Sequence, residues 1–254
     1  MDDQNQNQTQ KPADACINTE DGLAYWEGVS ADENGMLGGI PSIGGFAYIS
    51  KVDIQGSRSF LAKLGIGNKK GLRTVDSVLE GGAGIGRITK SLLAPLASQI
   101  DIIEPIKKFT DTISLPASSP SSPSATLRHI FNTGLESWTP QPAETKYDLI
   151  WTQWCVGHLT DAQLVLYLVR CSSSLSPDGG GGLIVIKENL STSGEDAFDA
   201  EDSSVTRTDA KFQELFGRAG LDIVRMEMQR GFPVTATMRL LPVKMYALRP
   251  KTDG

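Results

Sequence analysis

The segment S-V-L-E-G-G-A-G-I-G-R-I-T-K, Ser77 to Lys90, joins an apolar run to a helix-like one through glycines at 82, 84 and 86. Glycine at such a corner lets a ligand approach bare backbone N–H groups with no Cβ in the way. The spacing departs from the dinucleotide fingerprint G-x-G-x-x-G, because Arg87 stands where the third glycine belongs. Glu80 at the strand tip would repel a pyrophosphate and tolerate a cation. S-adenosylmethionine carries a sulfonium and an ammonium and no phosphate, and Arg87 can pair with its carboxylate. Glu104 ends the next apolar run, 24 residues beyond Glu80, where an acid can accept hydrogen bonds from an adenosine ribose. NAD sites use an acid in the same place, so Glu104 alone does not discriminate. Leu135 and Glu136 offer an apolar face for adenine and an acceptor for its amino group.

The elements that must position these residues alternate strand and helix. Apolar runs over 74–80, 99–104, 126–132, 147–154 and 181–189 read as strands. Helices are expected over 86–98, with Pro95 kinking or ending it, over 161–174 with Thr160 as N-cap, and over 208–220 closed by Gly220. Two further strands, 221–229 and 243–249, follow without a helix between them. The pattern predicts an α/β fold with a seven-stranded, mostly parallel sheet covered on both faces and one antiparallel strand. Residues 18–65, with Tyr25, Trp26, a glycine-rich stretch and a helical segment, are expected to form an N-terminal cap over the strand ends. The serine- and proline-rich stretch 114–125 reads as an extended insertion that joins no core. Residues 1–17 read as a disordered polar tail, leaving 18–254 as a single domain.

Composition bounds the function. A formal charge of −6 argues against general nucleic-acid binding, which needs a basic face. No apolar run approaches the length of a membrane span. Cys16, Cys155 and Cys171 form no C-x-x-C pair and no even disulfide set, which fits a reducing compartment. No metal site is expected.

Six motifs narrow this further: Y-W at 25–26, G-M-L-G-G at 35–39, G-A-G-I-G-R-I-T-K at 82–90, I-W-T-Q-W-C-V-G-H-L-T-D at 150–161, I-V-I-K-E-N at 184–189 and E-D-S-S-V-T-R at 201–207. In this order they resemble the eukaryotic protein N-terminal methyltransferases, which methylate the α-amine of chains beginning Xaa-Pro-Lys or Xaa-Pro-Arg. The resemblance spans about 23–249. It implies a Rossmann-like class I fold, S-adenosylmethionine as cofactor, and a cytoplasmic enzyme that also enters the nucleus or stays out of it. It also implies partners that are the N-terminal tails of substrate proteins, ribosomal proteins among them, with neither nucleic acid nor membrane bound directly.

Residue by residue, the resemblance assigns Gly82, Arg87, Leu135 and Gln153 to the cofactor. Glu104 stands where better-known members have aspartate and Glu136 where they have glutamine, and both keep an acceptor. Trp26, Trp154, Asn189, Asp199 and Ser204 fall at substrate positions. His158 and Asp202 become the proton acceptors for an α-amine that is mostly protonated at neutral pH. Taken alone, His158 is a helix-start residue, the acidic stretch 199–202 a solvated loop, the tryptophans core and Asn189 a strand terminator. The family's tyrosine before the last strand is missing: the segment 232–246 is longer and brings Leu241 or a neighbour there. A small-molecule amine methyltransferase and a catalytically silent binding subunit remain alternatives.

Overall fold

The computed structural model describes residues 11–115, 125–140, 144–177, 181–235 and 238–252. The chain order is α1 (Thr19–Gly28), α2 (Glu33–Met36), α3 (Ile49–Ala62), β1 (Val75–Gly81), β2 (Ala97–Ile103), α4 (Lys107–Thr110), β3 (Thr126–Phe131), β4 (Leu149–Gln153), α5 (Asp161–Ser173), β5 (Leu183–Asn189), β6 (Ala197–Asp199), β7 (Ser204–Thr206), α6 (Asp209–Arg218), β8 (Leu221–Met228) and β9 (Val243–Pro250).

Seven strands form one sheet in the order β3-β2-β1-β4-β5-β9-β8, with β6 and β7 paired apart as a short hairpin. Only β9 runs antiparallel to its neighbours, β5 and β8. Buried on both faces, the central strands are nearly all apolar, and alternate residues feed two cores. Ile184 and Ile186 of β5 pack with Leu164, Leu168 and Phe212 of α5 and α6. Leu183 and Val185 pack with Phe60 and Leu61 of α3 on the other face. From β1 the chain winds outward to β2 and β3, then returns to β4 on the other side of β1. That reversal opens a crevice beyond the carboxyl ends of β1 and β4, where ligands of such sheets bind.

Local signals set the helix boundaries. Thr160 accepts from the Gln163 amide while the Gln163 side chain accepts from the Thr160 amide, a closed capping box for α5. Gly220, with φ +72°, ends α6. The helix expected over 86–98 is shorter. Its last turn, Thr89–Leu93, is widened, with the Ala94 amide donating to Thr89 five residues back. Pro95 follows at once, and Ala97 and Ser98 already belong to β2.

Two boundaries are corrected. Of the tail expected over 1–17, residues 1–10 lie outside the described residues, but a helical turn spans Ala13–Cys16 and Asp14 Oδ2 accepts from the Asp161 amide at the start of α5. Of the insertion expected over 114–125, residues 116–124 lie outside the described residues. Its ends do join the core: Leu115 packs against the α3 side and Ala125 is buried there.

The cap is joined to the sheet by buried charge. Asp53 of α3, fully enclosed, bonds Arg87 Nη1 at 2.8 Å, Gln153 Nε2 at 3.0 Å and the Lys187 ammonium. Removing one member of such a group leaves uncompensated charge in the interior. Asp53→Ala should therefore lower unfolding stability by about 3–5 kcal/mol in urea titration; a loss near zero would contradict this role.

Candidate active site

At the mouth of the crevice, Gly82, Gly84 and Gly86 adopt φ of +68°, +54° and +76°. A Cβ on Gly82 would stand 2.5 Å from Cys155 Sγ, and one on Gly84 2.7 Å from Met36 Sδ. Backbone conformation and space thus both require glycine here. The Gly84 amide donates to Glu104 Oε2 at 2.8 Å and the Ile106 amide to Oε1 at 2.9 Å. Burial raises the Glu104 carboxyl above its ordinary range, an effect these two amides partly offset. Each oxygen keeps a lone pair for a further donor.

Gly82, Gly84, Glu104 and Ile106 line a cavity of about 180 Å³. Gly82, Arg87, Glu104, Leu135, Glu136 and Gln153, the six residues assigned to the cofactor, all lie on its wall, with Trp26, Trp154 and His158. Glu136 folds back over Gly134, and Arg170 of α5 holds the turn by donating to the Leu135 and Glu136 carbonyls.

Glu80 is a correction. It lines neither cavity found among the described residues; it points behind the glycine turn, 2% exposed, and takes a 2.5 Å bond from the Thr89 hydroxyl. Burial pushes its carboxyl up to about 8, so the acid is largely neutral at pH 7. The acids on the wall of the first cavity are Glu104 and Glu136.

Arg87 is held on two sides. Its guanidinium bonds Asp53 and lies 5.4 Å from the Trp154 ring. Gln153 is equally fixed, donating to Asp53 and accepting from Trp151 Nε1. Burial raises the Asp53 carboxyl, but the Lys187 and Arg87 charges outweigh it and leave it below the ordinary range. One carboxylate thus faces two basic side chains. That imbalance suits an incoming anionic group at Arg87, such as an amino-acid carboxylate.

The turn after β4 is clamped from both sides. Glu188 Oε1 accepts from the Cys155 and Val156 amides, and Arg207 donates to the Val156 and Leu159 carbonyls. The clamp holds Trp154 at φ 55°, a left-handed conformation that non-glycine residues seldom adopt. It also sets His158, whose Nε2 accepts a 2.9 Å bond from the Trp26 indole N–H. Burial pulls the His158 ring below its usual range, against the opposing effects of Asp202 and the Ser203 backbone. Burial likewise pushes the Cys155 thiol well up, so it stays protonated.

A second cavity, about 390 Å³, shares Trp26, Met36 and Trp154 with the first. Asn189 and Leu241 line it, with apolar residues from the cap and from the segment before β9. Asp199 and Ser204 line neither cavity; they pair across the β6–β7 hairpin, and Asp199 Oδ1 accepts from the Glu201 amide. Asp202 sits on the turn between those strands, next to Ser203, which lines the first cavity and accepts from the Asn18 amide. The Tyr25 phenol of α1 is raised by burial and then by the charges of Glu201, Asp202 and Asp199. Sequence reasoning missed Asp53, Lys187, Glu188 and Arg207. The charged pair Lys187-Glu188, ending an apolar central strand, was a usable signal, because a buried charge requires a partner.

The family model described as AdoMet dependent proline di-methyltransferase matches residues 14–249. The chain belongs to that family. A Schizosaccharomyces pombe relative, alpha N-terminal protein methyltransferase 1, is 42% identical over 236 residues, covering 92% of this chain and 96% of its own. The N-terminal Xaa-Pro-Lys N-methyltransferase 1 of Danio rerio is 41% identical over 209 residues, 82% and 86% of the two chains. A solved Leishmania major S-adenosylmethionine-dependent methyltransferase superposes with TM-score 0.74 at 35% identity, covering 91% of this chain and 82% of that one. This methyltransferase thus uses S-adenosylmethionine and acts on protein N-termini. The residues present fit that cofactor: a Cβ-free cradle, a ribose-side carboxylate and a fixed guanidinium.

A neutral Glu80 has a consequence for pH. Its folded value of about 8 lies above the ordinary 4.5, so the folded state holds the extra proton between them and stability falls as pH rises across that window. Glu80→Gln should flatten the wild-type decline in unfolding stability from about pH 5 to 8. An unchanged slope would contradict the burial argument.

Proposed function

We propose that this methyltransferase modifies the α-amine of proteins beginning Xaa-Pro-Lys or Xaa-Pro-Arg, ribosomal proteins among them, by successive methylations in the cytoplasm. The observation that carries the reading is the meeting of two cavities between Trp26 and Trp154, with three acids beside α1. The first cavity suits the cofactor and the second an entering peptide end.

S-adenosylmethionine, when bound, supplies a methyl carbon on a positively charged sulfur that an uncharged amine displaces in line. This chain contributes position and proton removal. Gly82, Arg87, Glu104, Leu135, Glu136 and Gln153 hold the cofactor. Trp26 and Trp154 form flat apolar walls that suit a second-position proline, which presents no N–H. Asn189 bonds the first peptide carbonyl. Asp199, with Ser204 beside it, receives the third-position ammonium or guanidinium, a charge-assisted contact worth about 1.5–3 kcal/mol. An α-ammonium with pKa ~7.8 must lose a proton before its nitrogen can attack, and His158 and Asp202 are the groups at hand. Holding both reactants together supplies much of the remaining acceleration.

Mass spectrometry of a Ser-Pro-Lys peptide and its N-acetylated control tests this directly. The free peptide should gain methyl groups and the control none. Asp202→Asn and His158→Ala should each lose about 10²-fold or more in turnover while binding cofactor as wild type does. Methylation of the acetylated control would move the reaction to the lysine side chain and overturn the proposal.

A further inference from the structure

Trp26 and His158 meet in a way that divides the work of proton removal. An indole N–H can only donate, so the nitrogen it bonds, His158 Nε2, must be the unprotonated one. The ring proton therefore sits on Nδ1. That atom is buried, as is Asp202 Oδ1; Nδ1 has the Ser203 backbone beside it, short of a well-formed hydrogen bond, and Asp202 Oδ1 has no hydrogen-bond partner among the described residues. Gly22 lies one turn before Trp26 on the same face of α1. A Cβ there would reach 3.4 Å from His158 Nδ1 and 3.3 Å from the Asp202 carbonyl oxygen. One helix face thus holds the imidazole and the Asp202 turn against each other.

Resting on the α-amine reading above, we infer that Trp26 is a positioning residue: it locks His158 in the Nδ1–H form with Nε2 closed, so that His158 donates a hydrogen bond and Asp202 receives the proton. Protonating His158 would place a second N–H against the indole donor, so the bond must break first. Asp202 is the titratable group facing the ring; Gly22 and Trp26 face it from α1 and the Ser203 backbone from the β6–β7 turn. In the reaction the α-ammonium gives its proton to the Asp202 carboxylate. The freed nitrogen pair then forms the new N–C bond as the C–S bond breaks, and sulfur keeps that bond's electrons.

The chain has two histidines, so His129→Gln leaves a single imidazole for a long-range nitrogen–proton NMR spectrum. At neutral pH His158 should show a protonated Nδ1 and a bare Nε2. In Trp26→Phe the ring should shift toward the Nε2–H form and its titration midpoint should rise, because the bond that favoured the neutral ring is gone. A wild-type ring with its proton on Nε2, or an unchanged spectrum in Trp26→Phe, overturns the inference. The wild-type spectrum decides the tautomer even if the variant fails to fold.

Turnover supplies the second arm. His158→Asn can place an amide N–H near the Nδ1 position but cannot take a proton, so it should recover at least about tenfold of the turnover that His158→Ala loses, whereas Asp202→Asn loses about a hundredfold or more. A His158→Asn variant no more active than His158→Ala would return the proton to His158. An inert Ser-Pro-Lys peptide with wild-type enzyme would instead count against the substrate reading and leave the tautomer to the spectrum.

Discussion

The buried carboxylate of Asp53 is the joint on which the site depends. It comes from the cap, yet its partners are the arginine of the glycine turn, the glutamine ending β4 and a lysine within β5. A lone carboxylate in this interior would cost several kcal/mol; two cations and an amide offset that cost. The consequence is geometric. Arg87 and Gln153 cannot be placed for a cofactor unless α3 is docked, so cap and sheet form one binding unit.

A second constraint acts on the turn after β4. Glu188 and Arg207 hold the amides and carbonyls of the turn after β4 from opposite sides. Their grip keeps Trp154 in a left-handed conformation that costs on the order of 1–3 kcal/mol. In return the ring covers Arg87 on one side and walls the second cavity on the other. The other non-glycine residue with positive φ among the described residues, Ser203, adjoins Asp202. Strain therefore gathers beside the two cavities, where Trp154 lines both and Ser203 the first.

Much of this was legible in the residues. Apolar runs flanked by helix caps located all seven sheet strands, and the motifs placed every cofactor candidate on one cavity wall. What escaped was set by distance along the chain. Asp53 meets its partners 34, 100 and 134 residues away, so its own amphipathic helix carries no trace of them. Glu80 was misread because a strand-end acid can face the crevice or the core, and only the path of the next helix decides which. Pro95 marked a helix end but not the widened turn before it. The ends of the insertion were misjudged because Leu115 and Ala125 are single apolar residues in a polar context.

The central claim is that the fixed guanidinium of Arg87 reads the carboxylate end of the cofactor. Calorimetric titration with S-adenosylhomocysteine and with 5′-methylthioadenosine, which lacks that carboxylate, tests it most directly. Wild-type protein should bind the first at least about tenfold more tightly, the effect of one charge-assisted contact, and Arg87→Met should erase most of the difference. Equal affinities in the wild type, or a difference that survives in Arg87→Met, would contradict it.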